Sequence, residues 1–373
     1  MIAHDAQIRT IPVSIQQLLD DVALPMMRRW DVGDNQKSHD LFSSVSIRAV
    51  LFGELKVMVK KILLVGGSGF LGTNLAQALH AKGYHVGILD RSTPPANSPA
   101  AQAFTGDLRD QDLRAVAFRD YRRFVYLAHE ASKAPSAEAS PESFVGNISL
   151  FVGLLEEATR SGADEFTLFS SGGAVYGPQD TMPIPESTPT NPISVYGAAK
   201  LAMEKYLSVA ATQQGFRHLI VRPANPYGPG QNFLSPQGIV AVALAKIFRH
   251  ETLTIRGDGS ATKDYLFVTD LADAISGLLE TPTASGPYNI GSGKGIKLST
   301  LIQEIEEVIG CSAQIEYLPP HPADVQTNVL DIAKIYQTTG WAPSISLTNG
   351  LLKTWNWLRT QPGFVDVPPV SKV

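Results

Sequence analysis

Residues 62–65 form a continuous apolar run, Ile-Leu-Leu-Val, that stops at Gly66-Gly67-Ser68-Gly69-Phe70-Leu71-Gly72. An apolar run of strand length predicts a strand covered on both faces. Residues 71–82 then have helical spacing and end at Gly83, a natural C-terminal stop. Strand, glycine turn and helix in that order leave few folds open. Gly66, Gly69 and Gly72 each have a reason to lack a side chain. The first permits the tight turn, the second lets a pyrophosphate approach the backbone, and the third lets the helix pack close to the sheet. The helix N-terminus offers free N–H groups and a positive dipole end to phosphates. Phe70 and Leu71 belong to the same candidate cofactor site.

A second strand at 84–89 ends at Asp90. A carboxylate there accepts hydrogen bonds from a ribose 2′-OH and repels a 2′-phosphate, so NAD rather than NADP is the expected cofactor. Arg91 works against that preference. Asp107, followed by Leu108, reads two ways: as a contact to the adenine amino group, or as a helix N-cap before Arg109-Asp110.

Further apolar runs at 124–128, 166–170 and 218–221 alternate with helical stretches at 143–161 and 195–211. This alternation predicts an α/β fold, a doubly wound parallel sheet of the Rossmann type with right-handed crossovers. After Arg222 the texture changes. Prolines at 223, 226, 229 and 236 and glycines at 228, 230, 257 and 259 predict a smaller C-terminal α/β lobe. The expected organisation is a cofactor domain at 58–230 and a substrate lobe at 231–360. A segment near 264–280 (strand into helix over 266–279) returns to the first domain, and 299–309 is a helix. The Pro-rich tail, 361–373, is expected to be disordered. Residues 1–57 read as an extension or as an artefact of start-site choice, with a short helix at 15–24, a polar loop at 31–40 and disorder expected.

Composition excludes several function classes. A net charge of −4 does not suggest nucleic-acid binding. The single cysteine, Cys311, excludes an internal disulfide and a cysteine-rich zinc site. No His, Asp or Glu cluster has metal-ligand spacing, so no metal is expected. No apolar run is long enough to cross a membrane, and no secretory signal is evident, so a cytoplasmic location is expected.

Tyr196 and Lys200 lie four residues apart on one helix face. Such a pair is usually mere helix surface. Behind a dinucleotide loop it predicts chemistry: an ammonium lowers the phenol's pKa, and the phenolate takes a hydroxyl proton while hydride leaves the carbon.

These features resemble the NAD-dependent epimerase/dehydratase family of extended short-chain dehydrogenases/reductases, from residue 58 to at least 341. The resemblance rests on the Gly66–Gly72 loop, Asn147, Phe169-Ser170-Ser171-Gly172-Gly173-Ala174-Val175-Tyr176-Gly177, Tyr196 with Lys200, Arg222-Pro223-Ala224-Asn225-Pro226-Tyr227-Gly228, and Gly257-Asp258-Gly259 leading to Asp264-Tyr265. It implies oxidation of a nucleotide-sugar at C4 and a homodimer through the helices at 143–161 and 195–211. The pattern is nearest to the branch that interconverts UDP-glucose and UDP-galactose.

The departures narrow the chemistry. Relatives carry Ser or Thr where this chain has Gly172, so Ser171 is taken as the third catalytic residue, with a structural strand-end serine as the alternative. The dehydratases' Asp-Glu pair is replaced by Gly173 and Ala174, which disfavours dehydration and decarboxylation. Asn225, Lys263 and His321 are the expected substrate contacts, the last two standing where relatives place arginines on the diphosphate. His129 replaces a small residue and reads either as packed or as tuning the site. The leading expectation is therefore a nucleotide-sugar 4-epimerase. The alternatives are a keto-sugar reductase or a non-catalytic NAD-binding sensor or scaffold.

Overall fold

The computed structural model describes residues 60–129, 141–235, 238–362 and 364. The features expected within 1–57 lie outside the described residues. Six strands come first: β1 Lys61–Val65, β2 His85–Asp90, β3 Gln102–Thr105, β4 Arg123–Tyr126, β5 Glu165–Phe169 and β6 Arg217–Pro223. Shorter strands follow as β7 Asn225–Tyr227, β8 Leu253–Arg256, β9 Thr262–Phe267, β10 Gly286–Ile290, β11 Gly295–Lys297, β12 Ile315–Leu318 and β13 Thr327–Asn328. The helices that position the site are α1 Phe70–Ala81, α2 Gln111–Phe118, α3 Pro141–Arg160, α4 Gly172–Val175 and α5 Val195–Gln214. Beyond them run α6 Ile239–Phe248, α7 Val268–Glu280, α8 Leu298–Ile309, α9 Ala333–Thr339 and α10 Leu347–Leu358.

The main sheet has seven strands in the order β10-β6-β5-β4-β1-β2-β3. Every pairing in it is parallel. The apolar run of β1 has the predicted cause. Ile62 and Leu64 pack on one face with Leu75 and Leu79 of α1. Leu63 and Val65 pack on the other with Phe151 and Leu154 of α3. A strand covered on both sides has no solvated face to carry polar residues.

The return to this sheet is longer than 264–280. Helix α7 packs Leu271, Ile275 and Leu278 into the α1 cluster, and Tyr288 and Ile290 of β10 and Ile335 of α9 join it. The seventh strand has a weak sequence signal because Gly286 and Pro287 open it.

A third core forms around α6, α8, α10 and β8, including Leu244, Leu253, Leu301 and Trp355. Phe364, within the stretch expected to be disordered, departs from that expectation, while 363 and 365–373 lie outside the described residues. Phe364 is fully buried, with the rings of Phe248 and Trp355 5.5 and 5.8 Å from its own. Burial of a large aromatic outweighs the local proline signal.

Candidate active site

At the end of β1 the chain turns through Gly66 at φ +82°, where a Cβ would lie 2.6 Å from the Ala128 backbone nitrogen. A Cβ on Gly72 would lie 2.4 Å from the Gly67 oxygen. Gly69 is different: a Cβ there meets no atom within 4 Å, so the loop is open on that side. Gly69 is also the N-cap of α1, and no side chain caps that helix. Its first-turn N–H groups are thus available to an anion. These features fit a dinucleotide pyrophosphate.

Asp90 ends β2 beside this loop. Its Oδ2 accepts from Ser68 N at 2.9 Å and its Oδ1 from Ser92 N at 3.0 Å. The carboxylate holds the glycine loop in place, and each oxygen keeps lone-pair capacity for a ribose hydroxyl. Asp107 is exposed and accepts from Arg109 N at 2.8 Å. It is not the helix cap: Asp110 caps α2, accepting from Asp112 N and Leu113 N. The N-cap reading of Asp107 is thus corrected.

A cleft of about 1310 Å³ runs past the C-terminal ends of the central strands, where parallel sheets place ligands. Phe70, Leu71, Ser171, Tyr196, Lys200 and Asn225 all line it. Helix α5 carries the reacting pair. Ser194 caps it, its Oγ accepting from Gly197 N at 3.1 Å, and Gly215 ends it in the left-handed region at φ 78°. Tyr196 thus sits in the first turn with Lys200 one turn behind.

The Tyr196 phenol is held above its usual value by burial, and a side-chain hydrogen bond to Ser171 works in the opposite direction. The expected lowering by Lys200 is not what dominates in this structure. The ammonium lies 5.9 Å from the Tyr196 ring centroid and donates to the Phe169 carbonyl oxygen at 2.8 Å. Burial brings Lys200 down to about 8, while Glu204 acts to raise it. His129, three residues past the end of β4, sets its ring edge-to-face on Tyr196 at 4.9 Å and 81°. It is open to the cleft. Desolvation by the surrounding protein, then the Lys200 charge, hold its pKa down to about 4.

Gly172 cannot accept the missing serine without a shift. A Cβ there would lie 2.5 Å from Leu330 Cδ1 and 3.1 Å from the Arg222 carbonyl oxygen. Ser171, one residue earlier, reaches the phenol instead.

Beneath the pair lies a buried polar network. Glu204 continues the Tyr196 and Lys200 face by one more turn. It accepts from Ser170 Oγ in a short contact and from Arg222 through two bonds. Arg222 Nη1 donates to the Tyr176 hydroxyl at 2.8 Å, and that hydroxyl donates to Asn289 Oδ1 at 2.8 Å. Sequence reading missed Glu204 and Asn289. The spacing 196, 200, 204 was a signal for Glu204; nothing local pointed to Asn289.

On the substrate side, Asn225 donates to the Asp264 carbonyl at 2.9 Å. Lys263 lines the cleft. Its ammonium makes a short bond to the Val325 carbonyl and is lowered by burial, with Asp324 acting to raise it. His321 is not among the residues that line the cleft, although Asp324, Val325 and Gln326 just beyond it are, and its Nδ1 accepts from Ala323 N at 3.1 Å within its own turn.

Residues 62–291 match the NAD dependent epimerase/dehydratase family. The chain belongs to that family. A putative UDP-glucose 4-epimerase of Methanocaldococcus jannaschii is 31% identical over 302 residues, covering 80% of this chain and 98% of that one. A dTDP-4-dehydro-6-deoxyglucose reductase of Escherichia coli is 29% identical over 313 residues, covering 80% and 97%. The crystal structure of UDP-glucose 4-epimerase with UDP-glucose from Thermotoga maritima superposes with a TM-score of 0.74 at 32% identity, covering 80% of this chain and 98% of that one. Among the described residues, no helix is long and apolar enough to cross a membrane.

Proposed function

We propose that this chain is an NAD-dependent nucleotide-sugar 4-epimerase of the UDP-glucose type. The observation that carries the reading is one cleft wall bearing Ser171, Tyr196 and Lys200 beside Phe70 and Leu71 of the glycine loop. Bound NAD supplies the hydride acceptor and donor. Gly66, Gly69 and Gly72 with Phe70 and Leu71 hold its pyrophosphate end; Asp90 holds the ribose, and Asp107 and Leu108 flank the adenine.

In this reading Tyr196 takes the proton of the C4 hydroxyl as C4 loses hydride, leaving a 4-keto sugar. Ser171 hydrogen-bonds the reacting oxygen in place of the serine absent at Gly172. Lys200 stabilises the phenolate electrostatically. The keto sugar turns over in the cleft, hydride returns to its other face, and Tyr196 gives the proton back. Gly173 and Ala174 bear no acid or base where the family's dehydratases carry an Asp-Glu pair, which disfavours water elimination. Asn225 and Lys263 hold the nucleotide-sugar, Lys263 as a point charge for a phosphate rather than a fork.

The test is conversion of UDP-, dTDP- and GDP-sugars followed by NMR, with Tyr196→Phe as control. No turnover on any sugar, or full activity in the variant, sinks the reading. The likeness to the E. coli reductase favours a second reading, keto-sugar reduction. Dependence on added NAD(P)H without epimer formation selects it.

We also propose the division into 58–230 and 231–360, a cytoplasmic location, and a homodimer through α3 and α5. Val145, Tyr206 and Val209 on those helices are 62%, 42% and 55% exposed, a cost that a second copy removes. A monomer by light scattering excludes that dimer.

A further inference from the structure

We propose that His129 is a substrate-contacting residue of this cleft, its imidazole hydrogen-bonding a sugar hydroxyl that flanks the oxidised carbon, at C3 or C6. The proposal rests on the epimerase reading above and adds a specificity determinant to it.

Four observations lead there. His129 follows β4 at the C-terminal edge of the central sheet, on the same cleft wall as Ser171, Tyr196 and Lys200. Its ring centroid is 4.9 Å from that of Tyr196, so whatever meets the phenol is within reach of the imidazole. It is exposed to the cleft, although the residue before it, Ala128, is buried against the glycine turn. Among the described residues its ring nitrogens have no hydrogen-bond partner, while its one ring contact is with Tyr196.

The protonation state suits the role. Both causes acting on His129 oppose its charged form. A neutral imidazole presents one donor and one acceptor, the complement of a hydroxyl. A cation at this position would also stand beside the Lys200 ammonium. Bracing the Tyr196 ring does not need nitrogen, since a phenylalanine edge does it as well. Polar capacity directed into a substrate cleft is what distinguishes histidine here.

Three variants separate the roles. His129→Phe keeps the ring contact and loses the nitrogens, His129→Asn keeps a donor and an acceptor without the ring, and His129→Ala loses both. Each full-length protein, loaded with NAD, is titrated calorimetrically with UDP-glucose and with its 3-deoxy and 6-deoxy analogues. KM and kcat are measured for UDP-glucose. Loss of one neutral hydrogen bond is about tenfold in affinity. His129→Phe should raise Kd and KM by about that factor with kcat changed less than about twofold. One deoxy analogue should bind His129→Phe and the parent protein alike, and His129→Asn should recover part of the loss. If His129→Phe binds UDP-glucose and both analogues as the parent does, the proposal is overturned alone. A parent protein that binds no nucleotide-sugar overturns the functional reading and this proposal with it.

Discussion

Glu204 and Arg222 form a two-bond ion pair in the interior, with Nε to Oε1 at 3.0 Å and Nη2 to Oε2 at 2.6 Å. Their side chains are only 3% and 5% exposed. Removing one partner of such a pair strands the other charge. Glu204→Ala should therefore cost about 3–5 kcal/mol in urea unfolding. A loss below about 1 kcal/mol contradicts this account of the network.

The same glutamate acts on Lys200, one turn away. Lys200 titrates at about 8, below its ordinary 10.5, because burial opposes its charge. If its ammonium supports the Tyr196 phenolate, kcat falls as pH rises through about 8. Stability moves the other way. The folded state releases this proton before the unfolded state does, so this group's contribution rises with pH between about 8 and 10.5. Lys200→Met should remove that part of the stability slope, and Glu204→Gln should shift the alkaline kcat limb to lower pH. A kcat profile flat from pH 7 to about 10 rules out a functional ammonium.

Ser171 and Gly172 should not be interchangeable. Ser171→Ala is expected to lower kcat by about 100-fold, the effect of losing one preorganised donor. Gly172→Ser introduces a clash with Leu330 and the Arg222 carbonyl. It should destabilise the fold by about 1–3 kcal/mol and fail to rescue Ser171→Ala. Adding Leu330→Ala should relieve only the side-chain part of that clash. Recovery of full activity by Gly172→Ser in the Ser171→Ala background would refute this assignment.

Asp90 contributes both to cofactor choice and to loop order. Asp90→Ala should weaken NAD binding by about 10- to 100-fold, the range for a hydrogen bond to a charged group. It should weaken NADP much less. Fluorescence titration of both cofactors reads the ratio. An unchanged NAD to NADP preference excludes Asp90 as the ribose acid.

Phe364 should behave as core rather than tail. Phe364→Ala is expected to cost about 3–5 kcal/mol, the range for a buried aromatic. Chemical denaturation checks it, and a change within about 0.5 kcal/mol shows the ring to be dispensable.

Much of the fold was readable because its signals are contiguous. The run at 62–65 alternates between two covered faces, and Gly66 to Gly72 mark a turn whose constraints lie within one loop. Strand β10 was not readable, since Gly286 and Pro287 disguise it. The local engagement of His321 was unreadable for a related reason. Correspondence of position assigned it to a phosphate, while its own turn engages its Nδ1. Phe364 was hidden by a proline-rich context that says nothing of distant Phe248 and Trp355.

The glycine turn and the Tyr196 and Lys200 spacing were determined by sequence alone, because backbone sterics and helical periodicity act over a few neighbouring residues. Which serine meets the phenol was decided only by tertiary structure. Leu330 and Arg222, far along the chain, occupy the space a side chain at 172 needs, and excluded volume between distant segments has no local signature. The Lys200 charge state was decided in the same way. Burial lowers it and Glu204 opposes that shift, and the burial exists only once the sheet and its helices have closed around the site.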